Sequence, residues 1–499
     1  MSYLKQIVLT LVFFCCINPP THAAALKQFV NAAQGYSMSI PATSRIDQSF
    51  PAMRDVFSTN DLVIEVYFDD LSRQQAGFSD YIYYGNKMLK LSDRHNLTAS
   101  YSSAVAGHSA HTTVWQRQKL SRVANDRNYY QSVAIRRTSQ EIVTILFKSN
   151  KPLDTTPYLS NFQVIAKSGN LATNRQFAKS KTVMNAATKA KYEELFGEKA
   201  PLTWGIFEPN AGSDFFHLHQ KETQLDYKFK VALRYQSIGN LVPLFLLEQA
   251  EQEGRTLELT LSTTYAANPD ALKAGGSDPN LTIAYDILDG KFDDYLEFYA
   301  QQLKTFDKPI LFRLNNEMNG DWCWYSAFYT ARDSEIYKQL WVYLHDFFAK
   351  RNVQNLIWIW NPHDKSFPDF AWNHAFAYYP GDEYVDVIGM TGYNTGNYFA
   401  GESWREFKDI YDPLYAEYCA SFDKPFIIGE FASASYGGSK AAWINSMFKE
   451  IKNYPRIKVA VWWSGIDRDS SGTPARIYLI NDTPATIEAM KNGLKSYKK

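Results

Sequence analysis

Cysteine is scarce in this chain, four residues in 499, and two of them, Cys15 and Cys16, fall inside an apolar stretch near the N-terminus. That leaves Cys323 and Cys419, too few for a disulfide scaffold, and both are expected as free thiols. No Cys-x-x-Cys pair, His-Glu-x-x-His motif or His/Cys cluster occurs, so neither a metal site nor a cofactor is expected. A Gly-x-x-x-x-Gly-Lys-Ser/Thr phosphate loop is missing too. Charge of one sign is also lacking: 52 Lys and Arg balance 52 Asp and Glu. Such balance gives no electrostatic case for nucleic acid or an anionic membrane as partner. Long apolar runs are absent; the one at 7–17 is shorter than the roughly 20 residues a membrane helix needs, so no transmembrane segment is expected.

That short run has the form of an export signal. Lys5 precedes it, Asn18-Pro-Pro ends it, and Thr21-His-Ala-Ala-Ala offers small residues for cleavage near Ala23 to Ala25. The expectation is a secreted, cell-surface or periplasmic protein acting as a monomer.

Aromatic residues, by contrast, are abundant. The chain has 12 Trp, 33 Tyr and 32 Phe, and every Trp but Trp115 lies at Trp204 or beyond. Sugar rings present apolar C–H faces that stack on aromatic planes, so this bias suits a carbohydrate partner as well as a packed core.

Four regions are expected: a signal at 1–25, a small α+β domain at 26–166, a polar linker at 167–200, and an α/β domain at 201–499. In the first domain Phe29 to Pro41 reads as a helical start running into a strand. Stretches at 62–68, 132–135 and 142–147 read as strands, with a helix at 79–91. From Thr203 the pattern becomes regular. Short apolar runs at 203–208, 230–238, 256–263, 309–315, 355–360, 385–391, 425–430 and 459–464 alternate with helical stretches such as 243–252, 292–305, 334–350, 403–421, 440–453 and 484–497. Eight strand–helix units imply parallel strands closed into a (β/α)8 barrel of about 250 residues.

In such barrels the reactive groups stand at the C-terminal ends of the strands. Two glutamates fall there: Glu317, in Phe312-Arg-Leu-Asn-Asn-Glu-Met-Asn-Gly-Asp-Trp, and Glu430, in Phe426-Ile-Ile-Gly-Glu-Phe. A carboxylate at the end of a strand buried on both faces must be paired or functional. Strand alternation places Arg313 and Glu317 on one face, and Tyr393, at the end of the sixth strand, stands beside Glu430. Asn361 and Asp364, after the fifth strand, are rim candidates. Paired carboxyl groups are what a glycosidase requires, one to donate a proton and the other to attack or to activate water.

These motifs, with Asn355-Leu-Ile-Trp-Ile-Trp-Asn-Pro and Tyr379-Pro-Gly-Asp-Glu-Tyr-Val-Asp-Val-Ile-Gly-Met-Thr-Gly-Tyr, resemble glycoside hydrolase family 26 from about residue 203 onward. The resemblance implies retaining hydrolysis of β-linked polysaccharides, often β-1,4-mannan, with Glu317 as acid/base and Glu430 as nucleophile. It implies substrate-binding roles for Arg313, Asn316, Trp322 and Tyr393, and for Trp463 as a floor beneath the sugar, with Trp462 as the other register. Mannanases of the family commonly carry His where this chain has Asn316, so a β-glucan stands beside mannan as substrate. Processing of an exopolysaccharide and non-catalytic polysaccharide binding are the alternatives. The start of the first domain is similar to the PsbP-like α/β fold, which implies no activity.

Overall fold

The computed structural model describes residues 25–74, 76–90, 94–210, 214–265 and 278–498. The expected signal lies outside the described residues except for Ala25.

The chain begins as a hairpin of β1 (Leu26–Asn31) and β2 (Tyr36–Pro41), paired in antiparallel register from Leu26 opposite Pro41 to Asn31 opposite Tyr36. The helical start expected at Phe29 is therefore strand. The reversal is made by Gly35 at φ +72° and by the Asn31 side chain, which accepts from the Gln34 N–H at 3.0 Å. A left-handed turn so close to Phe29 leaves no room for a helix.

Seven strands follow: β3 (Arg45–Asp47), β4 (Arg54–Ser58), β5 (Leu62–Asp70), β6 (His95–Val105), β7 (His108–Arg117), β8 (Tyr129–Arg136) and β9 (Glu141–Ser149). They form one sheet in the order β3-β4-β5-β9-β8-β7-β6. Short β10 (Gln163–Val164) adds to the β1–β2 hairpin. Alternation along β9 shows how the large sheet is used. Val143, Ile145 and Phe147 pack under the hairpin with Tyr36, Met38 and Ile40, whereas Ile142 and Leu146 join the core shared with the barrel. Both faces are thus buried, which explains the near-continuous apolar reading of this strand.

The barrel consists of β11 (Thr203–Phe207), β12 (Val231–Ser237), β13 (Thr256–Ser262), β14 (Ile310–Asn316), β15 (Leu356–Asn361), β16 (Val387–Asn394), β17 (Phe426–Ser433) and β18 (Ile457–Trp463). All eight pair in parallel, and β11 closes on β18 from Thr203 opposite Val459. Their inward side chains, among them Val231, Leu311, Ile357, Val387, Ile427 and Val459, fill the lower barrel. The residues before the barrel lie along it. Asn185 caps the helix Ala186–Phe196, whose Leu195 and Phe196 join that lower core. Arg175 pairs with Asp382 at 2.7 Å, and Asp386 accepts from the Trp358 N–H at 2.8 Å. Two acidic residues of the Tyr-Pro-Gly-Asp stretch therefore hold the chain entering β16, away from the strand ends that carry Glu317 and Glu430.

Charged groups join sheet and barrel. Asp333, ahead of the helix Ser334–Ala349, accepts from Tyr130 Oη at 2.7 Å and from Lys148 Nζ at 3.0 Å, and Lys148 also lies 3.1 Å from Glu65. All four side chains are buried. Burial pushes the Asp333 carboxyl up, but Lys148 and Arg117 more than offset it and hold the group below the usual carboxylate range. Lys148→Ala leaves two buried carboxylates without their shared cation. It is expected to cost about 3–5 kcal/mol in denaturant unfolding; a loss below about 1 kcal/mol would show that the ion pairs do not hold the interface.

Candidate active site

The end of β14 departs from strand geometry. Asn315 and Glu317 both take left-handed φ, +55° and +51°, uncommon for residues with a Cβ. Three contacts fix the bend. The Asn315 side chain accepts from the Thr263 N–H at 2.7 Å. Glu317 N–H donates to the Asn361 carbonyl at 2.8 Å, and Tyr325 Oη donates to the Asn316 carbonyl at 2.6 Å. The register with β15 shifts at the same place, between Arg313 and Asn316. Strand alternation therefore does not carry from Arg313 to Glu317. Arg313 points into the barrel axis, and Glu317 stands in the cleft above it.

Arg313 is fully buried. Its Nη2 lies 2.8 Å from Glu430 Oε1, its Nε donates to Thr260 Oγ1 at 2.7 Å and lies 3.5 Å from Glu258 Oε1. Glycine at 429 makes room for this packing: a Cβ there would sit 2.8 Å from Arg313 Nη1 and 2.2 Å from Asn361 Oδ1. Glu430, 4% exposed, also accepts from Tyr393 Oη at 2.9 Å and from Asn316 Nδ2 at 3.3 Å. Each of these partners donates to the carboxyl oxygens. Burial pushes the Glu258 carboxyl up to about 7, Arg313 pulls against this, and the charge on Glu430 adds to the rise.

Glu317 has a different environment. Its Oε2 accepts from Trp322 Nε1 at 2.8 Å, and among the described residues no cation lies within ion-pair distance. Burial, reinforced by the negative charge of Glu430, raises its carboxyl to about 7, against the smaller opposing effects of His363, the indole N–H and Arg313. The two glutamates thus sit in contrasting surroundings, Glu430 met by donors and a guanidinium, Glu317 with its carboxyl raised to about 7.

Both line a cavity of about 870 Å³ at the barrel mouth. Trp463 lies on one side, stacked on Phe207 with centroids 5.3 Å apart and edge-on to Tyr393. Trp462, the other register, is fully buried and donates to the Tyr478 carbonyl at 2.8 Å, so it does not face the cavity. Trp322 is 47% exposed and packs near His363 and Phe367 on the opposite side. Asn361 lies beneath the site, fully buried and bonded to Thr391. Asp364 pairs with Arg405 at 2.6 Å in the wall. Sequence reasoning missed Tyr235, beside Glu430 and 5.4 Å from the Arg313 guanidinium, as well as Glu258, His363 and Arg476. Tyr235 and Glu258 sit on β12 and β13 in runs that carry no motif. Among the described residues, no group of three or more His, Cys, Asp and Glu is placed to hold a metal ion.

Fold and site together define a (β/α)8 barrel with two carboxyl groups in an aromatic-walled cleft at the strand ends. Residues 263–453 match the model of glycosyl hydrolase family 26. The chain is 32% identical over 213 residues to endoglucanase H of Acetivibrio thermocellus, a match spanning 42% of this chain and 23% of that protein. It is 28% identical over 171 residues to mannan endo-1,4-β-mannosidase of Bacillus subtilis, covering 33% of this chain and 41% of that one. The matches thus span less than half the length of either relative. The catalytic domain of a Bacillus sp. family 26 endo-β-1,4-mannanase aligns with 64% of this chain and 93% of its own length, at 15% identity and a TM-score of 0.48.

The two environments make a direct prediction. In carbon-13 spectra of glutamate-labelled protein, assigned by a Glu317→Gln variant, the Glu317 carboxyl is expected to titrate near pH 7. Trp322→Phe removes a donor to the charged form and is expected to move that midpoint upward. A Glu317 midpoint in the ordinary range near 4.5, unmoved by Trp322→Phe, would contradict the assignment.

Proposed function

We propose that the protein is a retaining β-glycosidase that cleaves a polysaccharide within the chain, with Glu430 as nucleophile and Glu317 as acid/base. The observation carrying this reading is the contrast between the two glutamates in one cleft. Glu430 receives an ion pair and hydrogen bonds from Tyr393 and Asn316, while burial and the charge of Glu430 raise the Glu317 carboxyl to about 7 beside the Trp322 indole.

Hydrolysis then runs in two steps. Glu430 attacks the anomeric carbon as Glu317 gives its proton to the departing glycosidic oxygen. The C–O bond breaks, and a glycosyl ester forms on Glu430. Glu317, now ionised, takes a proton from water, whose oxygen attacks the same carbon and returns Glu430 as carboxylate. Tyr393 and Arg313 orient Glu430 throughout, and Asn316, bonded to Glu430, is placed to meet the hydroxyl next to the reacting carbon. Trp463 on Phe207 offers an apolar face to the ring, and Trp322 marks the side on which Glu317 stands.

The substrate we assign is a β-1,4-mannan or a β-glucan. Relatives named for both mannan and glucan hydrolysis support keeping the two. Processing of an exopolysaccharide is the second reading, favoured by Asn316 in place of the mannanase histidine. Two intact carboxyl groups in opposed environments speak against a purely binding role. The charged and then apolar N-terminal stretch supports action outside the cytoplasm. One chain supplies every group named above, so the enzyme is proposed to work as a monomer.

Reducing-sugar release from mannan, glucomannan, mixed-linkage β-glucan, β-1,3-glucan and xylan tests the proposal. One polymer class is expected to be cut, and Glu430→Ala to lower the rate by roughly 10³-fold or more. Azide is expected to restore turnover of an activated glycoside by that variant, with inverted product. Unimpaired hydrolysis by Glu430→Ala would refute the role. With the parent enzyme, kcat/KM is expected to fall about tenfold per pH unit above pH 7, as Glu317 loses the proton it must donate.

A further inference from the structure

The helix Phe78–Asn86 of the N-terminal sheet domain and the residues leading into it are set against two of the loops that carry aromatic residues into the cleft, those bearing Trp322 and Phe367. On the loop after β15, Asp69 accepts from the Ala371 N–H at 2.6 Å, Gln74 donates to the Asp369 carbonyl, and Tyr81 packs on Phe370 with centroids 4.6 Å apart. On the loop after β14, Arg332 Nη2 donates to Asn86 Oδ1 at 3.2 Å. The buried face of the helix, Tyr81 and Gly85, is spent on these contacts.

The outer face carries two adjacent, solvent-exposed tyrosines. Tyr83 is 61% exposed and Tyr84 38%, their rings 5.8 Å apart and nearly perpendicular. Tyr84 lies 6.4 Å from Phe370. Three residues earlier on that loop, within about 10 Å of chain, Phe367 lines the cleft, 41% exposed and 5.2 Å from Trp322. Solvent-facing aromatic side chains thus flank the buried Phe370, with Trp322 and Phe367 on the cleft side and Tyr84 and Tyr83 on the N-terminal sheet domain. Exposed aromatic groups gathered beside a cleft suit a binding surface. Rings with a polar tip fit a sugar chain, whose apolar C–H faces stack and whose hydroxyls meet the tyrosine oxygens.

We propose that Tyr83 and Tyr84 form a distal sugar-binding subsite, by which the N-terminal domain holds the polysaccharide chain beyond Trp322 and Phe367. This rests on the glycosidase reading of the cleft. The occupant is the same neutral β-linked polymer that the cleft cuts, and the consequence is a preference for long chains over short ones.

The test uses the full-length enzyme and the polymer found to be cut in the reducing-sugar assay. In the Tyr83→Ala/Tyr84→Ala variant, the ratio of kcat/KM on polymer to kcat/KM on a short aryl oligosaccharide is expected to fall roughly five- to tenfold, mainly through KM on polymer. Tyr83→Phe/Tyr84→Phe keeps the rings and is expected to restore most of the ratio. Affinity electrophoresis through that polymer, with Glu430→Ala present to stop cleavage, is expected to show weaker retardation when the two tyrosines are alanine. An unmoved ratio with equal retardation, in an enzyme that does cut the polymer, would overturn the subsite and leave the tyrosines to a protein partner. If the parent enzyme cuts no polymer, the glycosidase reading fails and the subsite with it.

Discussion

The guanidinium of Arg313 lies on the barrel axis without solvent exposure, and the site is arranged around its charge. Removing such a group from water costs several kcal/mol unless carboxylates meet it in the interior. Two carboxyl groups do, Glu258 from below and Glu430 from above. Burial leaves Glu258 with a proton up to about neutral pH, so the cation is matched chiefly to Glu430. The geometry of neighbouring strands follows from this pairing. Gly429 has no side chain because Arg313 and Asn361 occupy that space. Tyr393 and Asn316 turn donors toward the same carboxylate, and Glu317, left outside the network by the bend at the end of β14, is met by the Trp322 indole.

The second organising contact is between domains. Asp333 draws Lys148 and Tyr130 of the sheet onto the helix that follows the β14 loop. Asp69 and Gln74 take hold of the loop after β15. These two loops carry Trp322 and Phe367, so the N-terminal sheet supports one wall of the cleft. Elsewhere along the cleft, Arg405 pairs with Asp364, and Arg476 with Glu402 and Asp467.

The eight barrel strands were legible because each is a short apolar run and most have a helical stretch behind them, and strands buried on both faces carry no competing pattern. The hairpin at Phe29 was not, because Phe29-Val-Asn-Ala-Ala has helical spacing and only the turn at Gly35 decides against it. Glu317 and Glu430 stood out as charges at the ends of buried strands. Tyr235 and Glu258 did not: the first reads as an ordinary strand aromatic, and the second alternates in Leu257-Glu-Leu-Thr-Leu as an outward-facing residue would. Only barrel closure, which turns that face onto Arg313, reveals their place. The positive φ angles of Asn315 and Glu317 likewise come from tertiary contacts to Thr263, Asn361 and Tyr325, which local sequence does not announce. The exposed pair Tyr83 and Tyr84 sits in a helix that sequence located, and its position at the cleft depends on domain docking.

The central claim is that the carboxylate held by Arg313 is the group that bonds to the sugar. Mass spectrometry of the protein treated with activated 2-deoxy-2-fluoro glycosides of glucose and mannose tests it most directly, since the fluorine slows release of the glycosyl ester. The account predicts a single adduct on the peptide containing Glu430, abolished in Glu430→Ala. An adduct on the Glu317 peptide, or hydrolysis with inversion and no adduct, would contradict it.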